Sequence, residues 1–178
     1  MLTQNELKQQ LHYDPETGVF TRLVSNSPKA VVGEMAGYIS VNYKDPQANK
    51  YIRINVFAKK YGAHRLAWLY MTGSFPKNHI DHINHDGTDN RWINLRDVTP
   101  NENFRNQRMP CNNKSGLVGV RWDKNANSWK STIDIRRTKT HLGYFKSIFD
   151  AACARKNAEI KHNFHPNHGR RLDHEPNP

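Results

Sequence analysis

Cysteine is almost missing from this chain of 178 residues: Cys111 and Cys153 are far apart and form no CxxC pair. That excludes a disulfide framework and a cysteine-based zinc module. No apolar run reaches the length of a membrane-spanning helix, and the opening stretch MLTQNELKQQ lacks a signal-peptide core. The expectation is a soluble protein of a reducing, cytoplasmic compartment with no membrane partner. Acidic residues are also scarce, with 16 Asp and Glu against 27 Lys and Arg, a net charge of +11. Residues 1–104 hold 12 basic and 10 acidic side chains, whereas residues 105–178 hold 15 and 6. A positive field concentrated in one portion points to a polyanionic partner, nucleic acid first.

The length allows one core of ordinary size or two small ones. Residues 18–57 read as β-rich: GVFTRLV leaves a turn as a strand, and in YIRINVF the residues Ile52, Ile54 and Val56 alternate with polar neighbours. AHRLAWLYMTG (Ala63–Gly73) fits a short helix stopped by its glycine. In Thr99-Pro100-Asn101-Glu102, Thr99 suits an N-cap, Pro100 the first helical position and Glu102 the third, which predicts a capped helix to about Arg108. Pro110 bars its continuation. MPCNNKSG then reads as a linker over 109–115.

Beyond the linker the pattern changes to LVGVRW, SWKSTIDIR and THLGYF, three short strands, followed by a helix over SIFDAACARKNAEIK. In the middle strand Trp129, Ser131, Ile133 and Ile135 share one face; Lys130, Thr132, Asp134 and Arg136 share the other. Ser147 and Asp150 suit the helix start, and Ala151, Ala154 and Ala158 would face the sheet. HPNHGRRLDHEPNP reads as a loose polar tail, and its histidines, with His162, have no partner cysteines.

The densest polar stretch is HIDHINH, His79 to His85. Taken alone it suits a zinc cluster, an acid–base pair or a polar turn. A phosphodiesterase needs a group that activates water near neutral pH and a cation that stabilises developing charge. Imidazole suits the first task, and oxygen ligands suit a hard metal for the second. Asp81 and His82 lie on a short strand-like piece, and their side chains point to opposite faces. A turn-rich loop, the short strand Leu95–Val98 and the capped helix carrying Asn103 follow.

This segment resembles the HNH endonucleases and their ββα-metal motif. The resemblance rests on Asp81-His82, Asp89-Asn90-Arg91, Asn94-Leu95 and the TPNEN helix entry, with HRLAWLYMTGSFP upstream. Asn94 follows His82 by twelve residues and Asn103 follows Asn94 by nine, similar to the phage homing branch. The resemblance implies that His82 is the general base, that Asp81 and Asn103 hold one divalent metal, and that Asn94 ties the loop to the catalytic strand. Asn103 stands where the family name has its last histidine, an HNN form, so Mg²⁺ or Mn²⁺ fits better than zinc. His79, Arg91 and Arg105 are accessory candidates; His85 is expected exposed or against phosphate.

GVRWDKNANSWKSTID, HLGYF and the alanine-rich helix resemble the AP2 DNA-binding domain. The resemblance covers residues 116–165 and implies a sheet that reads duplex DNA. Its candidate contacts are Arg121, Trp122, Lys130, Thr132, Arg136, Lys139 and His141, with Trp129 in the core.

The expected fold is α+β. A β-rich region leads into a ββα-metal motif near 78–108 within a nuclease domain 1–108. A linker 109–115, a three-stranded antiparallel sheet plus helix over 116–165, and a tail 166–178 complete it. The expected function is metal-dependent hydrolysis of DNA phosphodiester bonds by a phage-type homing nuclease, a monomer acting in the host cytoplasm. The alternative is a non-catalytic DNA-binding regulator with a degenerate HNH region.

Overall fold

The computed structural model describes residues 1–25, 30–41, 50–110, 112–136 and 138–170. They form two compact units, Met1–Thr99 and Pro100–Pro178. Both mix helix with small antiparallel sheets. No described helix is long and apolar enough to cross a membrane.

The first unit opens with α1 (Gln4–Gln10). Thr3 and Glu6 cap it reciprocally: Thr3 Oγ1 accepts from Glu6 N at 3.3 Å, and the Glu6 carboxylate accepts from Thr3 N at 2.8 Å. A ribbon of β1 (Leu11–Tyr13) and β2 (Phe20–Arg22) follows. The strand expected across GVFTRLV is thus limited to its centre. Next come β3 (Tyr38–Ser40), β4 (Tyr51–Val56) and β5 (Lys59–Gly62), an antiparallel sheet with β4 central. The alternation of YIRINVF has its expected effect, with Ile54 and Val56 in the core and Asn55 exposed. Helix α2 (Ala63–Thr72) buries Ala63, Leu66, Ala67 and Leu69 against this sheet and ends at Gly73, whose φ of 83° glycine adopts without strain. Full burial of each leucine contributes about 1.5–3 kcal/mol. The ribbon of β6 (His79–His82) and β7 (Leu95–Val98) completes the unit. Leu95 anchors it in the same core as Leu7, Tyr13, Phe20 and Leu66.

The second unit begins with α3 (Pro100–Phe104), which stops short of Arg108. Arg105 N reaches both Asn101 O and Glu102 O, and Asn106 N bonds Asn103 O at 3.0 Å, so the helix tightens into three-residue turns and ends. The chain then runs beside the C-terminal segment: His165 N donates to Arg105 O, Gly169 N to Gln107 O and Met109 N to Arg170 O. The tail expected to be loose is therefore bonded as far as Arg170; His174 lies outside the described residues.

Strands β8 (Val120–Asp123), β9 (Ser128–Ile135) and β10 (Thr138–Phe145) form an antiparallel sheet in the order β10-β9-β8, with α4 (Ile148–Lys161) packed on one face. Ser147 caps α4 by accepting from Phe149 N at 3.0 Å. The buried stripe of α4 is Ala151, Arg155 and Glu159, whereas Ala154 and Ala158 are only half-buried. An ion pair takes the place that sequence reasoning assigned to alanines. Arg155 Nε donates to Glu159 Oε1 at 2.8 Å, Arg155 Nη1 to Thr132 O at 2.6 Å, and Arg155 Nη2 lies 3.2 Å from His168 Nε2. Gly119 makes room: a Cβ there would collide with Thr132 O and come within 2.7 Å of Arg155 Nη1, and its φ of +76° is left-handed.

Candidate active site

The β6–β7 register sets Asp81 opposite Arg96 and His82 opposite Leu95. Ile83 N donates to Asn94 O at 3.0 Å, which closes the mouth of the loop between the strands. The Asn94 side chain, 6% exposed, works on both sides of that mouth. Its Oδ1 accepts from Asn84 N at 3.0 Å, and its Nδ2 donates to Asn84 Oδ1 at 3.0 Å and Asp89 O at 2.8 Å. Inside the loop, Asp86 Oδ1 accepts from Thr88 N and Oγ1, and Asp89 accepts from Asn84 Nδ2 and from Arg91 Nε and Nη2. The loop is thus held by its own side chains.

His82, 6% exposed, sits at the end of β6 with its Nε2 3.4 Å from Asn90 Oδ1. Asn90 Nδ2 donates to Thr88 O, which orients the amide so that its oxygen faces the imidazole. A proton on Nε2 would meet that oxygen, and in this tautomer Nδ1 is the basic nitrogen. Asn90 is itself braced, since Tyr13 OH donates to its carbonyl at 2.7 Å and Trp92 N donates to Pro15 O at 2.9 Å. The His82 ring also meets His64 edge-on, with centroids 5.2 Å apart, and Tyr51 at 5.9 Å. Burial lowers the His82 pKa from the ordinary imidazole value, against the opposing pull of Asn90, Asp81, Asp86 and Asp89. The ring is therefore neutral at neutral pH, the state a proton acceptor needs.

His64 is pushed further, down to about 3, by burial first and then by the neighbouring His82, Arg53 and Arg65. Its Nδ1 is buried with no hydrogen-bond partner among the described residues. In an unfolded chain the same imidazole titrates at about 6.5. Between the two values the unfolded state binds a proton that the folded state does not, so stability rises with pH across that window. Urea midpoints of the metal-free protein should fall as the pH drops from 7 to 5. The slope below pH 6.5 is at most about 1.4 kcal/mol per unit from this residue. His64→Phe should make the dependence shallower; an unchanged slope would assign the acid sensitivity elsewhere.

Asp81, 8% exposed, takes both Arg96 Nε at 2.9 Å and Arg96 Nη2 at 2.7 Å on its Oδ2. Asn103 lies on α3 in the second unit, half-buried. His79 is exposed on β6, Arg91 is ion-paired to Asp89 at 2.6 Å, and the carbonyl of Arg105 holds His165. Of the two expectations for His85, exposure does not hold: it is 8% exposed, with its backbone in a left-handed turn at φ 68° and its N bonded to His82 O. Sequence reasoning gave no role to Tyr51, His64, Asn90 or Arg96. Asn90 stood inside the quoted loop motif, and a strand register drawn from Asp81 would have found Arg96.

On the second unit, register aligns Arg121 with Lys130 and Tyr144, Thr132 with His141, and Asp134 with Lys139, all on the sheet face away from α4. Lys130 Nζ stands 5.4 Å over the Tyr144 ring, an aromatic that sequence reasoning passed over. Trp122 stands apart from that row. Alternation puts it on the opposite face from Arg121, beside its cross-strand partner Trp129 at 5.4 Å, and it is 43% exposed. Arg136 sits in the β9–β10 turn at φ 50°, not on the flat of the sheet. A cleft of about 650 Å³ lies beside the sheet and draws its lining from both faces, with Arg108, Lys114, Arg121 and Lys139 joined by Trp122 and Trp129.

Residues 61–105 match the family model of the HNH endonucleases. The matched stretch takes in α2, the β6–β7 ribbon with its loop, and α3. Protein 3.8 of Escherichia phage T7 is 36% identical over 78 residues, which cover 43% of this chain. The chain spans 64% of the length of that phage relative. No solved structure matches the chain.

Proposed function

We propose that the protein is a metal-dependent DNA endonuclease of the phage homing type. In this reading the HNH domain cuts and an AP2-like sheet over residues 116–165 holds duplex DNA. The observation that carries it is His82: a buried, neutral imidazole next to the carboxylate Asp81, within the residues that match the HNH family. His82 Nδ1 takes the proton from the attacking water. Asn90 on Nε2 and the ring contacts of His64 and Tyr51 hold the imidazole while it does so. Asn94 keeps the loop closed on the strand that carries His82.

The donor set fits a hard divalent ion. Asp81 already faces a cation, the Arg96 guanidinium, so the carboxylate is placed for a positive partner. No group of three or more His, Cys, Asp and Glu is gathered among the described residues, the set that a closed zinc site takes. Mg²⁺ or Mn²⁺ instead takes one or two protein oxygens and completes its shell with phosphate and water. Asp81 supplies one such oxygen; Asn103 is assigned the second from its spacing in the sequence. When bound, the ion stabilises charge on the scissile phosphate and the 3′ leaving oxygen. The products are 5′-phosphate and 3′-hydroxyl ends.

The AP2-like reading rests on the three-stranded sheet backed by α4 and on the outward row Arg121, Lys130, Lys139 and His141. Such side chains bond phosphates and guanine edges. The deciding assay uses supercoiled plasmid: nicked or linear product is expected in Mg²⁺ and none in EDTA. Equal cutting in EDTA, or no cutting in Mg²⁺ or Mn²⁺, rejects the reading.

A further inference from the structure

We infer that Arg96 is a latch on Asp81, released before a divalent ion binds there. The inference rests on the reading of Asp81 as a metal ligand. Register alone brings the pair together, because Asp81 and Arg96 are direct partners across the β6–β7 ribbon. Two guanidinium nitrogens converge on a single oxygen, Oδ2, at 2.9 and 2.7 Å. The carboxylate side chain is 9% exposed and the guanidinium 30%, so the pair is screened less than a surface bridge. The neighbouring Asp97 is engaged separately, accepting from Lys77 N and Asn78 N at 3.2 Å each, and does not draw Arg96 away.

An ion approaching Asp81 thus meets a carboxylate already neutralised and a positive charge within contact distance. It must compete for the carboxylate and suffer repulsion while it does so. A DNA phosphate changes both conditions. Its two non-bridging oxygens offer the guanidinium fork an alternative partner, and it offers the ion an additional oxygen ligand. Metal loading and DNA binding are then coupled, and the coupling is reciprocal. Arg96 acts here as a positioning residue, through Asp81.

The test measures Mn²⁺ binding to the full chain without DNA, from the electron paramagnetic signal of the free ion. Arg96→Gln should bind Mn²⁺ roughly tenfold more tightly than wild type, a change equivalent to about 1.4 kcal/mol. Arg96→Lys, which keeps a charge but loses the fork, should gain about threefold. Adding Asp81→Asn to Arg96→Gln should abolish the gain. Unchanged or weaker binding in the folded variants overturns the latch, as does a gain that survives Asp81→Asn. If a melting curve shows that Arg96→Gln does not fold, Arg96→Lys decides alone, a gain supporting the latch and no gain overturning it. Plasmid cleavage by wild type in Mg²⁺ without any Mn²⁺ gain in the variants removes the latch and leaves the endonuclease. An Asp81-dependent gain in a protein that cuts equally well in EDTA keeps the latch and removes the metal dependence of cleavage.

Discussion

His82→Ala is expected to lower plasmid cleavage about 10³-fold in Mg²⁺ while leaving the affinity for duplex DNA within about twofold. The size follows from the task. A positioned base contributes about 10²–10⁴ in rate, and burial keeps this imidazole unprotonated where an exposed one would be partly charged. The split between rate and affinity follows from placement. His82 is 6% exposed at the end of an internal ribbon, whereas the outward cations that would hold phosphate stand on the sheet of the second unit. Cleavage is read on supercoiled plasmid and affinity by titration of a labelled duplex in EDTA. Binding that falls in step with cleavage contradicts the assignment. Because the ring packs on His64 and Tyr51, a melting curve accompanies the assay, and His82→Asn serves as the variant that fills more of the space.

Arg155→Ala should destabilise the second unit by about 3–5 kcal/mol, the cost of stranding a buried charge. Glu159 is the charge left behind: it is 6% exposed, and its remaining cation, Lys156, reaches it at 2.7 Å from a side chain that is 56% exposed. The same substitution unties α4 from the sheet, since Arg155 Nη1 is the donor to Thr132 O. It also removes the guanidinium that lies against the Phe164 ring, 5.5 Å from its centroid, and His168. Whole domains are commonly stable by only about 5–15 kcal/mol, so the loss is severe. The expected observation is a large fall in the urea midpoint, with the double change Arg155→Met and Glu159→Met recovering most of it. A single variant as stable as wild type would show that the network contributes little.

Sequence and structure part company in an instructive way. Strand β4, helix α2 and the three-strand–helix order of the second unit were legible because each rests on a local period or a local stop signal, such as Ile54 and Val56 or Gly73. The charged pair Arg155–Glu159 was not, since the eye reads an alanine stripe as the helix's inner face and charges as its outer one. Only Gly119, by leaving space beside Thr132, makes the buried guanidinium possible. At the candidate site, Asp81, His82 and Asn94 were singled out by their spacing. Their surroundings were not: Arg96 depends on strand register, and Tyr51, His64 and Asn90 arrive beside His82 through tertiary packing.

The brace behind Asn90 has a consequence for how the protein is made. Tyr13 OH meets Asn90 O across 77 positions of chain, Gln4 Nε2 meets Tyr70 O across 66, and Gly18 presses against the backbone of Asn90 and Arg91. The contacts of Tyr13 and Gly18 cannot form on the ribosome until the loop has emerged, and that of Gln4 must wait for α2, long after the segments that support them. Folding of the first unit is governed by such distant pairings, which close slowly. A growing chain cannot assemble the surroundings of His82 while it is still short. A truncated translation product that ends before the β6–β7 loop lacks the groups that brace His82, whatever else of the unit has folded.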